Sequence, residues 1–330
     1  MKRPSKSLFA GMLLLSISLS VAAAWALYQW IHTPMAESGC LIWSGASDEN
    51  PAWLDGDGQP FECEGWTECQ TWMQLRSYRL KPGRYCLTEG ETIRSFARKL
   101  AVGGKSEVEV VVPAHRQLGV IAQTMSRTLS LDSTEVHGVI ARDTLTWRLL
   151  PNTYRLYWST SEEELAQRLV QEHDAWWTSH RRTQARKIGM TPLEVVTLAS
   201  IVQEEIAVQS EAKRVAGLYR NRLKKGMKLQ ADPTLKFALG DWNIRRLLDA
   251  DKAAESPYNT YLYAGLPPGP IRIPEPHVME AVLYAEDHSF LYMCAKPDGS
   301  GRHAFATHYA EHKRNANAYR NWLNGRDIYR

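Results

Sequence analysis

The sequence predicts an α+β protein held behind a single N-terminal transmembrane helix, and three observations predict it. Residues 8–31 carry no charge. From Ser77 onward, short β-branched runs alternate with segments whose apolar residues recur at helical spacing. Further along, pairs such as Ser161/Glu164 and Thr191/Glu194 have the spacing of capping boxes, which open helices.

The run from Leu8 to Ile31 is long enough to cross a bilayer core, which takes roughly 20 residues at helical rise. Lys2, Arg3 and Lys6 precede it, so residues 1–7 are expected to stay in the cytoplasm. Trp25, Tyr28 and Trp30 stand at the exit, where an aromatic belt belongs. A cleaved signal peptide with Ala22 and Ala24 at its cleavage site is the alternative. The apolar run exceeds the roughly 7–15 residues of a signal core, which favours an uncleaved anchor. In either case the bulk of the 330 residues is exported. A net charge of +4, with no basic stripe of interleaved aromatics, gives no reason to expect nucleic acid. Twelve Trp and fourteen Tyr suit sugar-stacking surfaces and cores equally well.

Cys40, Cys63, Cys69 and Cys86 cluster early and Cys294 stands alone. In an oxidising compartment the first four allow up to two bridges, in any of three connectivities. No His falls between Cys40 and Cys86, and no H-E-x-x-H cluster occurs, so no metal and no cofactor is expected. Cys294, in "FLYMCA", reads as a thiol in a buried strand. Residues 32–75 hold Asp48, Glu49, Asp55, Asp57, Glu62, Glu64 and Glu68 among Gly and Pro, and read as an acidic, cysteine-bearing linker or insertion.

The texture changes at "LKPGRYCLTEGETIRSFARKL". Pro82-Gly83 makes a turn, Tyr85 lies in a short strand, and a helix starts near Thr92 with Ile93, Phe96, Ala97 and Leu100 on one face. "VEVVVP" is a second strand and Leu118 to Leu129 a second helix, giving a strand–helix–strand–helix unit over 76–130. In residues 131–330, Thr191 as cap, Pro192 at the first helical position and Glu194 fix the start of the helix that contains "LASIVQEE". A further helix starts near Ser210, with Val215, Leu218, Tyr219 and Leu223 on one face and Gly226 at its end.

The apolar run "LASIV" meets two adjacent carboxylates, and a turn of about 100° per residue separates their roles. Glu205 lies seven residues after Leu198, four after Ile201 and three after Val202, so it continues the apolar stripe. Glu204 falls above Thr197 and Ser200, on the more polar side. A carboxyl on an apolar face is held protonated by desolvation, which suits a general acid. The competing reading is that the helix simply ends here and Glu205 reaches solvent.

"LASIVQEE", "LQADPT", "YNTY", "GLPPGPI" and "HAFATHYAEH" follow one another in that order. Together with "LKPGRY" and "LPNTY" they resemble the YceG/MltG family of endolytic murein transglycosylases, over roughly Ser77 to the C-terminus. The resemblance implies a membrane-anchored bacterial cell-wall enzyme with a small LysM-like subdomain (76–130) and a mixed α/β catalytic domain (131–330). It implies a single-pass location in the inner membrane with the catalytic part in the periplasm, peptidoglycan glycan strands as substrate, and association with cell-wall synthesis proteins. The family's catalytic glutamate, the last residue of its A-S-I-V-x-x-E string, maps onto Glu205, while the slot often filled by Glu in relatives is Gln203 here. The chain departs from the family pattern at Pro113-Ala114-His115, Ile273-Pro274-Glu275 and Ala306.

The chemistry so implied splits the β-1,4 bond between N-acetylmuramic acid and N-acetylglucosamine. The muramyl C6 hydroxyl is the nucleophile and a 1,6-anhydro end the product. An internal nucleophile has a large effective molarity, so one carboxyl suffices. Gln230, Asp232, Tyr258, Asn259, Thr260, His303 and Thr307 are then the candidate substrate-binding residues. Asp232 either bonds a sugar or caps the turn before Pro233. Tyr258, Asn259 and Thr260 either contact sugar or close their own loop. Pro267, Pro268 and Gly269 form a stiff turn. A non-catalytic wall-binding scaffold and a muramidase-type hydrolase using Asp232 are the alternatives.

Overall fold

The computed structural model describes residues 6–35, 38–45, 51–55, 57–241, 244 and 247–326. Lys2, Arg3, Asp48 and Glu49 lie outside the described residues. The chain divides into two compact units. The first comprises 1–109 with the short returns 128–130 and 155–160, and the second comprises the remainder.

The first unit begins with α1 (Lys6–Ile31), whose stretch from Ala10 to Ile31 is long and apolar enough to cross a membrane. Next come β1 (Cys40–Trp43), β2 (Ala52–Leu54), α2 (Trp66–Leu75), β3 (Gly83–Cys86) and α3 (Ile93–Val102). Residues 32–75 are therefore not an irregular linker. β1 is the centre of an antiparallel sheet ordered β2-β1-β3. Leu41, Trp53, Cys69 and Met73 from this segment share one core with Tyr85, Phe96 and Leu100. The acidic residues obscured this, because the pairing that organises them reaches across to β3. Cys40 pairs with Cys86 in register and forms the disulfide. Cys63 and Cys69 remain buried thiols, so the structure has one of the two bridges the count allows. α3 has the expected face: Ile93, Phe96, Ala97 and Leu100 are all buried. A Thr92/Ser95 capping box opens it, and Gly103 in the left-handed region, φ +79°, closes it.

β4 (Glu107–Val112) alternates exposed and buried residues, with Val108, Val110 and Val112 inward. α4 (Leu118–Ser126) and α5 (Ser133–Ile140) follow, and β5 (Asn152–Tyr157) pairs with β4 in a two-stranded sheet. The second unit continues with α6 (Glu162–Trp176), α7 (Ser179–Lys187), α8 (Pro192–Glu205), α9 (Ala212–Lys224), α10 (Asp232–Leu239) and α11 (Pro276–Leu283). It ends in the antiparallel hairpin β6 (Tyr292–Ala295) and β7 (His303–Ala306) and in α12 (Tyr309–Asn324). Cys294 lies in a strand, as expected, but is only part-buried.

The centre of this unit is α8. Every residue from Val195 to Val202 is buried, and α7, α9, α10 and α11 pack around it. The side expected to be polar is buried too. The Ser200 hydroxyl donates to the Thr197 carbonyl at 2.7 Å and accepts the Ile271 N–H at 3.0 Å. A helix buried on every side lies in the core, so only its two ends reach a surface. Its start is fixed by the Thr191/Glu194 box with Pro192 in the first turn. Thr191→Ala is expected to lower the stability of the second unit by about 1 kcal/mol, read as a shift in urea midpoint with an unchanged m-value.

Candidate active site

The last residue of α8 is Glu205, and the chain leaves the helix there in an extended conformation at Ile206. This termination sets the glutamate at the junction between the buried helix and a cleft. Glu205 and Asp232 line both of two neighbouring cavities. The larger, about 410 Å³, is walled by Tyr219, Arg222, Gln230, Tyr261 and His303 besides the two carboxylates. The smaller, about 350 Å³, has Arg116, Glu204 and Lys236 on its walls.

The Glu205 carboxyl is pushed up from 4.5 to about 7. Burial at the end of an apolar helix is the main cause. The Tyr219 hydroxyl acts the other way, Asp232 adds like-charge repulsion, Lys236 opposes it, and Glu204 adds a smaller repulsion. Tyr219 donates to Glu205 Oε1 at 2.9 Å. Among the described residues nothing bonds Oε2, which is therefore the oxygen available to carry a transferable proton. Tyr219 belongs to the apolar face of α9 and is itself buried, so its hydroxyl needed an internal partner. Its own ionisation is pushed far up by burial and by the adjacent carboxyl, so it remains a donor.

Below neutrality this arrangement presents a protonated acid to the cleft. Activity that depends on that proton is expected to fall as pH rises through about 7. Tyr219→Phe removes the bond that favours the carboxylate, so the alkaline limb of kcat/KM is expected to move to higher pH. A limb that stays in place or moves down would contradict the assignment of Tyr219.

Asp232 opens α10, directly before Pro233. The Tyr261 hydroxyl donates to its Oδ1. Gln230 stands beside it in the left-handed region, φ +48°, which is uncommon for a residue with a side chain. Thr260 holds this backbone in place. Its carbonyl accepts the Gln230 N–H at 3.1 Å, and its hydroxyl accepts the Ala231 N–H at 3.0 Å and meets the Thr234 hydroxyl at 2.8 Å.

Gln230, Asp232 and His303 thus share the cavity with Glu205, whereas Tyr258, Asn259, Thr260 and Thr307 do not line it. Asn259 is buried, donating to the carbonyls of Lys252 and Ala254 and accepting the Tyr261 N–H. Thr260 is buried on the Gln230 loop. Tyr258 packs against Phe237, ring centroids 4.6 Å apart. Thr307 meets Ser289. These side chains shape the loops that carry the site. Of "YNTY" it is the last tyrosine, Tyr261, that enters the cavity.

Glu204, which shares the smaller cavity with Glu205, forms an ion cluster. It accepts from Arg116 at 2.6 Å and from Arg272 at 2.7 Å, and Arg272 also bonds the Ala114 carbonyl at 2.6 Å. Neighbouring Gln203 accepts the Glu275 N–H at 2.6 Å. Neither arginine was legible as a partner in the sequence, because they approach from 88 and 68 residues away. Among the described residues no group of His, Cys, Asp and Glu is arranged to hold a metal ion.

The model of the YceG-like family matches residues 62–318. An endolytic murein transglycosylase of Bacillus subtilis strain 168 is 28% identical over 214 residues, covering 64% of this chain and 59% of its own length. An endolytic murein transglycosylase of Streptococcus pneumoniae serotype 2 is 27% identical over 277 residues, covering 72% and 50%. The chain thus spans about half to three fifths of the length of these relatives. A crystal structure of a YceG-like protein from Listeria monocytogenes aligns with a TM-score of 0.53 at 25% identity, over 75% of this chain and 89% of that one. The family match takes in both Glu205 cavities and the loops that build them, over most of the chain's length, so this protein belongs to the YceG-like family.

Proposed function

We propose that the protein is an endolytic lytic transglycosylase of peptidoglycan. It would cleave the β-1,4 bond between N-acetylmuramic acid and N-acetylglucosamine and leave 1,6-anhydro ends. The observation that carries this reading is the placement of Glu205. A carboxyl held protonated to about pH 7 stands where two cavities meet, with room for sugar on either side of it. A glycan bound within its length, rather than at its tip, needs such a two-sided site.

Glu205 gives its proton to the leaving O4. The C6 hydroxyl of the muramyl residue attacks C1, and its proton ends on Glu205, so the acid is restored. The bond from C6 oxygen to C1 replaces the bond from O4 to C1, and no water is consumed. Asp232, fixed by Tyr261, and Gln230, fixed by Thr260, are in position to bond sugar on the same walls.

The apolar helix α1 is read as the anchor, with Lys2, Arg3 and Lys6 on the cytoplasmic side and the chain from residue 32 onward in the periplasm. Residues 76–130 are read as a LysM-like module that holds glycan, with 110–127 belonging to the second unit. Cell-wall synthesis proteins are the expected partners.

Incubating the full chain with murein and weighing the soluble products tests the reading. Anhydro ends support it. Reducing ends would mean a hydrolase in which Asp232 activates water, and intact glycan would mean a binding scaffold.

A further inference from the structure

Glu211 is a buried carboxylate that the chemistry above leaves unused. It is 6% exposed and closes the 3-10 turn Gln209–Glu211 between α8 and α9. Both its oxygens face His303, the first residue of β7. They accept the His303 backbone N–H at 3.1 Å each, and Oε2 lies 2.9 Å from the ring Nδ1. Among the described residues His303 is its one ionic partner. A carboxylate accepts and does not donate, so the ring's Nδ1 carries a hydrogen. In the neutral ring that leaves Nε2 as an acceptor. No described side chain or carbonyl bonds Nε2, and His303 is a wall of the cavity that contains Glu205.

Among the described residues no hydrogen bond reaches the Gln230 side chain, the second Asp232 oxygen or His312 Nδ1, and the remaining polar groups of that wall are committed. Tyr219 donates to Glu205 and Tyr261 to Asp232. Arg222 donates to the carbonyls of Lys228, Leu229 and Leu291. While Glu205 still holds the proton destined for O4, its Oε2 is a donor. An attacking hydroxyl must turn a lone pair toward C1 and its hydrogen toward some other acceptor. We propose that His303 Nε2 is that acceptor and that Glu211 is the residue that positions it. This rests on the reading of the protein as a lytic transglycosylase.

In the balanced step, the C6 oxygen bonds C1, the C1–O4 bond breaks, O4 takes the Glu205 proton, and the C6 hydroxyl proton passes to His303 Nε2. The imidazolium then returns that proton to the Glu205 carboxylate. His303 touches substrate. Glu211 acts only through His303, holding the tautomer and the ring angle.

Two measurements on the full chain in detergent test this. In protein labelled with 15N-histidine, His303 is expected to show hydrogen on Nδ1 and an acceptor Nε2, and Glu211→Ala is expected to give a mixture of tautomers. Addition of a GlcNAc–MurNAc oligosaccharide to the Glu205→Gln protein is expected to shift the Nε2 resonance. A wild-type ring protonated on Nε2, or no shift on adding oligosaccharide, would overturn the assignment, whether or not the protein proves to be lytic.

In the kinetic arm, His303→Ala is expected to lower kcat about a hundredfold with little change in KM, and Glu211→Ala about tenfold. The double variant should be no slower than His303→Ala alone, because residues acting as a unit are not additive. Losses that multiply, or a change confined to KM, would make Glu211 merely structural. Glu211→Leu, close in size and without an acceptor for Nδ1–H, gives the same comparison should Glu211→Ala fold poorly. Absence of anhydro ends from the wild type would defeat the transglycosylase reading instead, leaving the two resonance measurements to decide the dyad.

Discussion

Glu205→Gln protein is expected to release anhydro-muramyl ends at least about a thousandfold more slowly than wild type. It is also expected to be the more stable of the two at pH 8. The first effect follows from chemistry: the amide fills the same space and can accept from Tyr219 through its carbonyl oxygen, but it has no proton acidic enough to give to O4. General acid catalysis contributes roughly 10²–10⁴, and a single group that must both give and regain a proton loses both halves at once.

The second effect follows from burial. The carboxyl titrates at about 7 in the folded chain against 4.5 for a free side chain. Its protonated form is unpenalised below pH 4.5. The cost of ionising it in place grows as pH rises from there to about 7 and is constant above. The full difference corresponds to about 3 kcal/mol, which water entering the cleft at this part-exposed residue reduces to about 1–2. Glutamine does not ionise, so the variant escapes the penalty at pH 8 and gains nothing at pH 4. Product analysis with paired thermal melts at the two pH values checks both. Wild-type turnover by the variant, or a stability gain equal at both pH values, would remove Glu205 from its assigned role.

This pairing shows what the sequence could convey about the site. The spacing of Glu205 after Leu198, Ile201 and Val202 is local information, and a helical period reads it correctly. Glu204 is one residue away, and the same wheel assigns it to a polar side. That side is buried, because Ile271 packs its backbone onto Ser200. Nothing within a helical turn of Glu204 signals this. Tyr219 was visible as a face residue of α9, and its role could have been guessed, since a buried phenol hydroxyl seeks a partner. Choosing Tyr261 over Tyr258, or recognising that Thr260 pins the Gln230 backbone, requires the path of two loops about thirty residues apart. The same limit applies to residues 38–75. Their strands acquire a face only on pairing with β3, and periodicity within the segment does not report that.

Glu204→Ala is expected to have the opposite signature: a large loss of stability with the chemistry retained in whatever folds. Glu204 is 13% exposed and Arg272 16% exposed, and the two are joined at 2.7 Å. Arg116, a third exposed, shares the same carboxylate. Removing the acid leaves the part-buried Arg272 guanidinium with, among the described residues, only the Ala114 carbonyl to bond. Truncating one member of a buried pair costs about 3–5 kcal/mol, and the partial exposure of Arg116 places this cluster at the lower end. For a unit of this size that lowers the melting midpoint by roughly 10 °C. The damage comes from the stranded Arg272 cation rather than from the missing contact, so adding Arg272→Met to Glu204→Ala should restore much of the loss. A drop in midpoint of a degree or two for Glu204→Ala, or no recovery in the double variant, would show that the cluster is a solvated surface pair. At saturating glycan, anhydro-end release per folded molecule should change only a few-fold in either variant, since Glu204 and Arg116 line the smaller cavity without giving a proton. Two carboxylates adjacent in sequence would then separate cleanly, one assigned to the proton and the other tying the end of α8 to Arg116 and Arg272.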